Sequence, residues 1–420
     1  MTNQLNKGQQ DALKDIEEFI SSDRKYHVLT GGPGTGKTFL ISSILQQTGM
    51  LKNFTNIRVC ATTNKAVAAI HDAIGNQYSI DISTIHKALN LRMYNDYSTG
   101  ESKCAPGKGY YIHKNTFFII DEISMSNKAL EKYIDEATDS SCKILKVGDK
   151  FQLPPVKEKE STAFSKGYTT STLTEPVRNN AQPALITLCE QLRETVNTGI
   201  FKPIIPVPGV VDIMTTQETK KFIEDNFKEE TPHKKVLAYT NKISLGYSNH
   251  IRKFRGYLEP YVIGEYVNNN SAIIINRKTV LPTDSEVRIH EIRASEDHYG
   301  YPVLPVTVEY GNNLIDINVF LDPLGKTDLL GKFASDKNWH DYFKIKERYA
   351  DLRLSASCTT HKSQGSTCDV TVVDREDIAK CTNNNVTARL LYVAASRAKQ
   401  RVVFKGDLTQ RYYNDSSITT

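Results

Sequence analysis

The chain has 420 residues, of which 39% are hydrophobic and 24% charged, and its net charge is +5. This length favours two to four domains with sizeable cores, and the ordinary hydrophobic share excludes a mainly disordered chain. No apolar run approaches the ~20 residues that span a bilayer, Met1–Lys7 carries no apolar signal core, and seven scattered cysteines without a C-x-x-C pair indicate neither a disulfide framework nor a zinc knuckle. A reducing, cytoplasmic setting is therefore expected. The mild basicity (pI ≈ 8.6) permits a polyanionic partner without arguing for one.

The first element is a helical stripe over residues 5–20, with Leu5, Ala12, Leu13, Ile16, Phe19 and Ile20 on one face. Gln9 lies on it, where a carboxamide offers a donor and an acceptor to an adenine edge; an ordinary surface glutamine is the competing reading. Next, an apolar run at Val28 and Leu29 ends in Gly31-Gly32-Pro33-Gly34-Thr35-Gly36-Lys37-Thr38, which fits the phosphate-loop pattern G-x-x-x-x-G-K-[ST]. Glycines let the backbone curl so that successive N–H groups face phosphate oxygens. The following helix adds the positive end of its dipole. Lys37 is then expected on the β/γ-phosphates of ATP, and the Thr38 hydroxyl on Mg²⁺.

A strand over 57–61 runs into Thr62, Thr63 and Asn64, and a second stretch, Ser83-Thr84-Ile85-His86-Lys87, follows. Both put small polar residues where an open α/β sheet binds ligands, although helix capping is an equal reading. Residues 90–115 lack helical period. Short segments at 89–93 and 110–113 predict a projecting hairpin, with Tyr94 and Tyr97 among its candidate packing or stacking aromatics; a solvated loop is equally compatible.

The apolar run Thr116–Ile120 predicts a buried parallel strand that delivers Asp121 and Glu122 to the sheet edge. Asp121 is the candidate magnesium carboxylate and Glu122 the candidate base for the attacking water. A further buried strand at 143–147 leads to Gly148-Asp149-Lys150-Phe151-Gln152, where Gln152 could sense the γ-phosphate or the water.

Taken in order, GGPGTGKT, DEIS, GDKFQLPP, LTEPVR, TTHKSQGST and LLYVAASRAK resemble the motifs of superfamily 1 DNA helicases, on the RecD-like 5′→3′ branch. The resemblance spans Leu5 to about Phe404 and includes VLAYTNK, with Asn241. It implies that Gln9 reads adenine, that Arg178 and Arg397 reach the γ-phosphate from across a cleft, and that Gly365 contacts it through backbone. It also implies that Thr62, Thr63, Asn64, His86, Asn241, Thr360 and His361 line a single-strand track, and that the hairpin is a strand-separating pin bearing Tyr94 and Tyr97. One departure stands out: the strand-end motif reads Ala61-Thr62-Thr63-Asn64 where the family commonly has proline before threonine.

In the second half, a helix over 181–197 and the Pro-rich stretch 203–209 precede a new alternation of β and α. From about Glu259 to Leu321 short β segments predict an all-β insert, which the family carries as an SH3-like unit. Trp339, the only tryptophan, is read as packing rather than stacking on bases.

The expected fold class is α/β, with two RecA-like phosphate-loop domains of parallel sheets. The expected division is 1–175 for the first, carrying the 90–115 hairpin, 176–258 with 351–420 for the second, and 259–350 for the insert. The resemblance implies an ATP- and Mg²⁺-dependent helicase moving 5′→3′ on single-stranded DNA and opening forked duplex, in phage replication or recombination in a host cytoplasm. It further implies a monomer working beside single-strand-binding or recombination proteins, away from membranes. The competing function is a DNA-stimulated ATPase that displaces bound proteins without unwinding.

Overall fold

The computed structural model describes residues 4–74, 80–155, 158, 161–175, 182–276 and 278–413. Its first sheet has six parallel strands in the order Asp81–Thr84, Asn56–Ala61, Thr116–Asp121, Lys143–Gly148, Tyr26–Gly31, Thr169–Leu173. The strands Thr116–Asp121 and Lys143–Gly148 are buried along their whole length, which is why they read as unbroken apolar runs rather than alternating ones. Alternation still operates within them. Phe117 and Ile119 join the core under helices Lys7–Ser21, Lys37–Gln46 and Asn64–Ile74, while Phe118 and Ile120 face the opposite core with Ile134. Each such side chain removed from water is worth about 1.5–3 kcal/mol.

Lys146 is a fully buried cation in the middle of this sheet. It is tolerated because its ammonium meets Glu131 Oε2 at 2.5 Å and lies 4.6 and 4.8 Å from the ring centroids of Tyr26 and Tyr168.

The second sheet is also parallel, with five strands in the order Ser357–Thr359, Lys234–Ala238, Cys368–Asp374, Ala398–Lys405, Val211–Met214. Helices Pro183–Thr198 and Asn384–Ala395 close one face around Leu192, Leu237, Val373, Leu391 and Phe404. Phe222, Ile251 and Val403 fill the other. This mixed α/β architecture with two parallel sheets is the expected fold class.

Inserted in the chain between two strands of the second sheet, Lys234–Ala238 and Ser357–Thr359, is a largely antiparallel sheet built on Tyr266–Asn269, Ser285–Ile292, Tyr301–Tyr310 and Asn313–Phe320. It takes in more chain than the pattern indicated, because Leu352–Leu354 pairs with Tyr266–Asn269 beyond the expected end at 350. A three-residue strand has no periodicity of its own to read, and its partner fixes it from far upstream.

The hairpin also differs from expectation in its second arm. Leu91–Asn95 pairs with Ser102–Pro106, and His113 instead bridges to Thr138. The turn sets this register: Asp96 accepts from the backbone N–H groups of Ser98 and Thr99, and Gly100 sits at φ 75°. The tip is braced. A Cβ on Gly100 would overlap the Trp339 ring, the Tyr97 ring meets Phe343 edge-on at 5.3 Å, and the Asn95 amide donates to Glu347. Trp339, Phe343 and Glu347 all belong to helix Trp339–Arg348. Trp339 thus packs on the hairpin. All seven cysteines are unpaired, and no helix among the described residues is long and apolar enough to cross a membrane.

Candidate nucleotide site and strand track

All six strands of the first sheet run the same way, so the loops after Gly31, Asp121 and Gly148 open at one edge. The loop after Gly31 uses its glycines as the motif requires: Gly34 and Gly36 have φ 78° and 80°, and Gly36 caps helix Lys37–Gln46 in the left-handed region. Gly31 is needed for space, since a Cβ there would lie 2.6 Å from Thr35 Oγ1. Thr35 Oγ1 donates to the Gly32 carbonyl at 2.9 Å, which draws the loop into a ring about Pro33 and Gly34. Lys37 Nζ donates to the carbonyls of Gly31 (2.7 Å) and Gly32 (3.0 Å), and Thr38 stands in the same helical turn.

Gln9 approaches this loop from behind. Its Nε2 donates to the Thr35 carbonyl at 3.3 Å, and its Oε1 accepts from Asn6 N–H in a capping box. The carboxamide is fully buried and ties the first helix to the phosphate loop.

Asp121 and Glu122 lie two strands from Gly31. Burial raises the pKa of Asp121, the neighbouring Glu122 charge raises it further, and Lys37 opposes both. Glu122 adopts φ 51°, its carbonyl accepts from Thr62 Oγ1 at 3.0 Å, and its Oε2 is buried without a hydrogen-bond partner among the described residues. Gln152 Oε1 is buried and unpartnered in the same way. Two orphaned acceptors and a raised carboxylic acid beside a glycine cradle fit a site that receives a polar ligand with a cation.

The second half reaches this edge through helix Asn384–Ala395. Tyr392 OH donates to Asp149 Oδ2 at 2.5 Å, and Arg389 Nη1 donates to the carbonyls of Lys150 (2.7 Å) and Gln152 (2.6 Å). Gln364 Nε2 adds a bond to the Leu153 carbonyl at 3.3 Å. Gly365, at φ 73°, lies so that a Cβ would stand 3.5 Å from Thr63 Oγ1. Arg397 follows the helix end. It is buried, and it donates to Val393 O, Ser366 O and Ser396 Oγ of its own half. Arg178 lies outside the described residues.

The residues implied as a strand track fall into two groups. Thr63 caps the helix on which Asn64 is exposed, His86 and His361 are partly buried with pKa values lowered by desolvation, and Asn241 opens helix Asn241–Phe254. Asn241 lines a groove with Lys65, Asn268, Asn270, Arg353 and Lys362, where helix Asn64–Ile74 of the first half meets the second parallel sheet and the β insert. Thr360 differs: it is fully buried and its hydroxyl donates to Ala238 O, so its side chain shapes the loop and does not face the groove. Tyr94 and Tyr97 are exposed on the hairpin, with Tyr94 OH donating to Pro106 O.

Sequence reasoning missed Asp149, Arg389 and Tyr392 as members of the site. The last two lie about two turns and just over one turn before Arg397, and only the fold brings their side chains onto the first half.

A family model described as an AAA domain matches residues 4–201, and one described as a UvrD-like helicase C-terminal domain matches 354–404. The chain is 26% identical to the uncharacterized protein R530 of Acanthamoeba polyphaga mimivirus, over 95% of this chain and 99% of that one. It is 23% identical, with the same coverage, to the ATP-dependent DNA helicase dda of Enterobacteria phage T4. A solved structure of Pif1 helicases at forked double-stranded DNA shares its fold at TM-score 0.51 and 16% identity, covering 97% of this chain and 94% of that one. Ordered motifs, both family models and the full-length similarity to Dda together support a superfamily 1 helicase of the RecD-like kind, related to Dda.

Proposed function

We propose that the chain is an ATP- and Mg²⁺-dependent motor that moves 5′→3′ along single-stranded DNA and parts the duplex at the hairpin 91–106. The observation that carries this reading is the two-sided cleft. Lys37 and the orphaned Glu122 and Gln152 oxygens stand on one wall, and the helix bearing Arg389 and Tyr392, followed by Arg397, stands on the other. Charge from the second wall would complete the transition state only when the halves close, which links hydrolysis to relative movement.

Thr38 and Asp121 would hold the magnesium ion. No group of three or more His, Cys, Asp or Glu among the described residues could bind a metal alone. Magnesium in such sites needs one or two protein oxygens, the rest coming from phosphates and water. Once bound, the ion would supply charge neutralisation to the phosphates, while Lys37 would orient them and Glu122 would take the proton of the attacking water.

The groove at Lys65, Asn241, Arg353 and Lys362 supports a strand track, because lysine and arginine between polar amides suit a phosphate backbone without base preference. The proposed units are 1–175, 176–258 with 351–420, and 259–350, the last one's sheet also drawing in Leu352–Leu354, acting as a monomer on single-stranded and forked DNA. A strand-displacement assay with the full chain on 5′- and 3′-tailed duplexes tests the reading. Opening of 5′-tailed substrates supports it, opening of 3′-tailed ones alone reverses the polarity, and ATP turnover with no opening of either favours protein displacement.

A further inference from the structure

A cation that no motif accounts for approaches the phosphate loop from the second half. Arg193 lies on helix Pro183–Thr198, whose Leu185, Leu188, Leu192 and Val196 are buried in the second core. Its own side chain leaves that core. A Cβ on Gly32 would stand 3.1 Å from Arg193 Nη1 and 3.4 Å from Tyr392 OH. The guanidinium carbon is 4.8 Å from the Phe151 ring centroid, so the aromatic face holds the group without satisfying its donors. Arg193 Nε is buried with no hydrogen-bond partner, and no ion pair among the described residues includes this side chain.

Lys37 Nζ is 3.0 Å from the carbonyl of the same Gly32. Two permanent cations therefore converge on one glycine. The fully buried Asp149 nearby already accepts from Tyr392 OH and from Phe151 N–H. A guanidinium whose Nε has no partner, gathered with an ammonium about one glycine, is unfavourable unless an anion neutralises the two charges. Lys37 marks the β/γ end of the loop, so the anion that would relieve the repulsion is a terminal phosphate.

We propose that Arg193 is a phosphate-contacting residue that distinguishes a nucleoside triphosphate from a diphosphate. This deepens the nucleotide-site reading and rests on it. The guanidinium fork suits a phosphate oxygen pair better than a point charge does. Since its helix belongs to the second half, the contact also draws that half onto the loop when the triphosphate is bound.

Equilibrium binding of a fluorescent ADP and a fluorescent non-hydrolysable ATP analogue tests this in the full chain, with Arg193→Gln, Arg193→Lys and Lys37→Ala. Arg193→Gln should weaken the triphosphate analogue by ~10-fold or more and ADP by less than about twofold, with Arg193→Lys intermediate. Equal loss for both nucleotides, or loss for neither, overturns the proposal and leaves Arg193 as a brace on Phe151. Should Lys37→Ala bind both nucleotides as the unsubstituted chain does, the loop reading itself fails, a separate result. Hydrogen exchange of the unsubstituted chain needs no variant to fold. The triphosphate analogue, and not ADP, should protect the backbone of residues 183–198; identical protection by both also overturns the assignment.

Discussion

Tyr392, on helix Asn384–Ala395 of the second half, and Asp149, just after the strand Lys143–Gly148 of the first, are both fully buried and share a hydrogen bond of 2.5 Å. Burial raises the phenol well above its ordinary range and the Asp149 charge raises it further, so Tyr392 remains the donor. The bond pins the strand end after Gly148 to the helix that precedes Arg397. Tyr392→Phe would leave Asp149 with the Phe151 N–H as its remaining described donor, at 3.0 Å. A buried acceptor deprived of a partner costs about 1–3 kcal/mol. The melting temperature should fall by a few degrees, with DNA-stimulated turnover reduced more than nucleotide affinity. A variant that melts and turns over like the parent would show the bond to be incidental.

The two charges assigned to hydrolysis should fail differently. Lys37→Ala removes the ammonium that bridges the Gly31 and Gly32 carbonyls, so affinity and turnover should both collapse. Arg397 makes its bonds within its own half, so Arg397→Ala should preserve nucleotide affinity. Its kcat should fall by about 10³ if it acts as an arginine finger. Unchanged kcat would place Arg397 among the structural residues of the Gly365 loop.

Acid should destabilise the first sheet through His27. Its ring nitrogens each lie 2.9 Å from a hydroxyl, Thr169 Oγ1 and Ser171 Oγ, and it stacks on Phe19. Desolvation lowers its pKa from 6.5 to about 4, with Asp15 opposing and Arg24 assisting. Between those values the unfolded chain binds more protons than the folded one, so stability rises with pH across the window and is lost on acidification. The effect is up to about 3 kcal/mol. Urea unfolding at several pH values checks it: His27→Gln should flatten the slope between pH 4 and 6.5, and an unaltered slope would mean that another group titrates there.

The phosphate loop, the carboxylates after Ile120 and the strand before Gly148 were legible because each is one uninterrupted stretch whose chemistry depends on its own spacing. What escaped depends on pairing across distance. Arg193 reads as one charge on an amphipathic helix, and only the packing of that helix against Leu237 and Phe404 brings it to Gly32. Thr360 matches a track motif by type, yet the short strand before it turns its hydroxyl inward onto Ala238 O. The hairpin's second arm was misplaced because Tyr110 and Tyr111 look more strand-like than Ser102–Pro106, whereas Asp96 and Gly100 fix the turn.

That turn carries the last prediction. The hairpin tip rests on Trp339 through Gly100 and on Phe343 through Tyr97, so a two-stranded ribbon, marginal by itself, gains a fixed direction. Gly100→Val would add a branched side chain at φ 75° where the Trp339 ring already stands, which strains the turn and lifts the tip. The nucleotide wall is built elsewhere, from Gly31 to Thr38 and from Asp121 to Gln152. DNA-stimulated ATP turnover should therefore persist within about twofold while duplex opening falls by ~10-fold, a loss of about 1.4 kcal/mol of bracing. Trp339→Ala should reproduce the split without touching the hairpin sequence. Comparing turnover with strand displacement in both variants decides the matter: parallel loss of the two activities would mean that the helix Trp339–Arg348 supports the motor as a whole, and that the hairpin is no wedge.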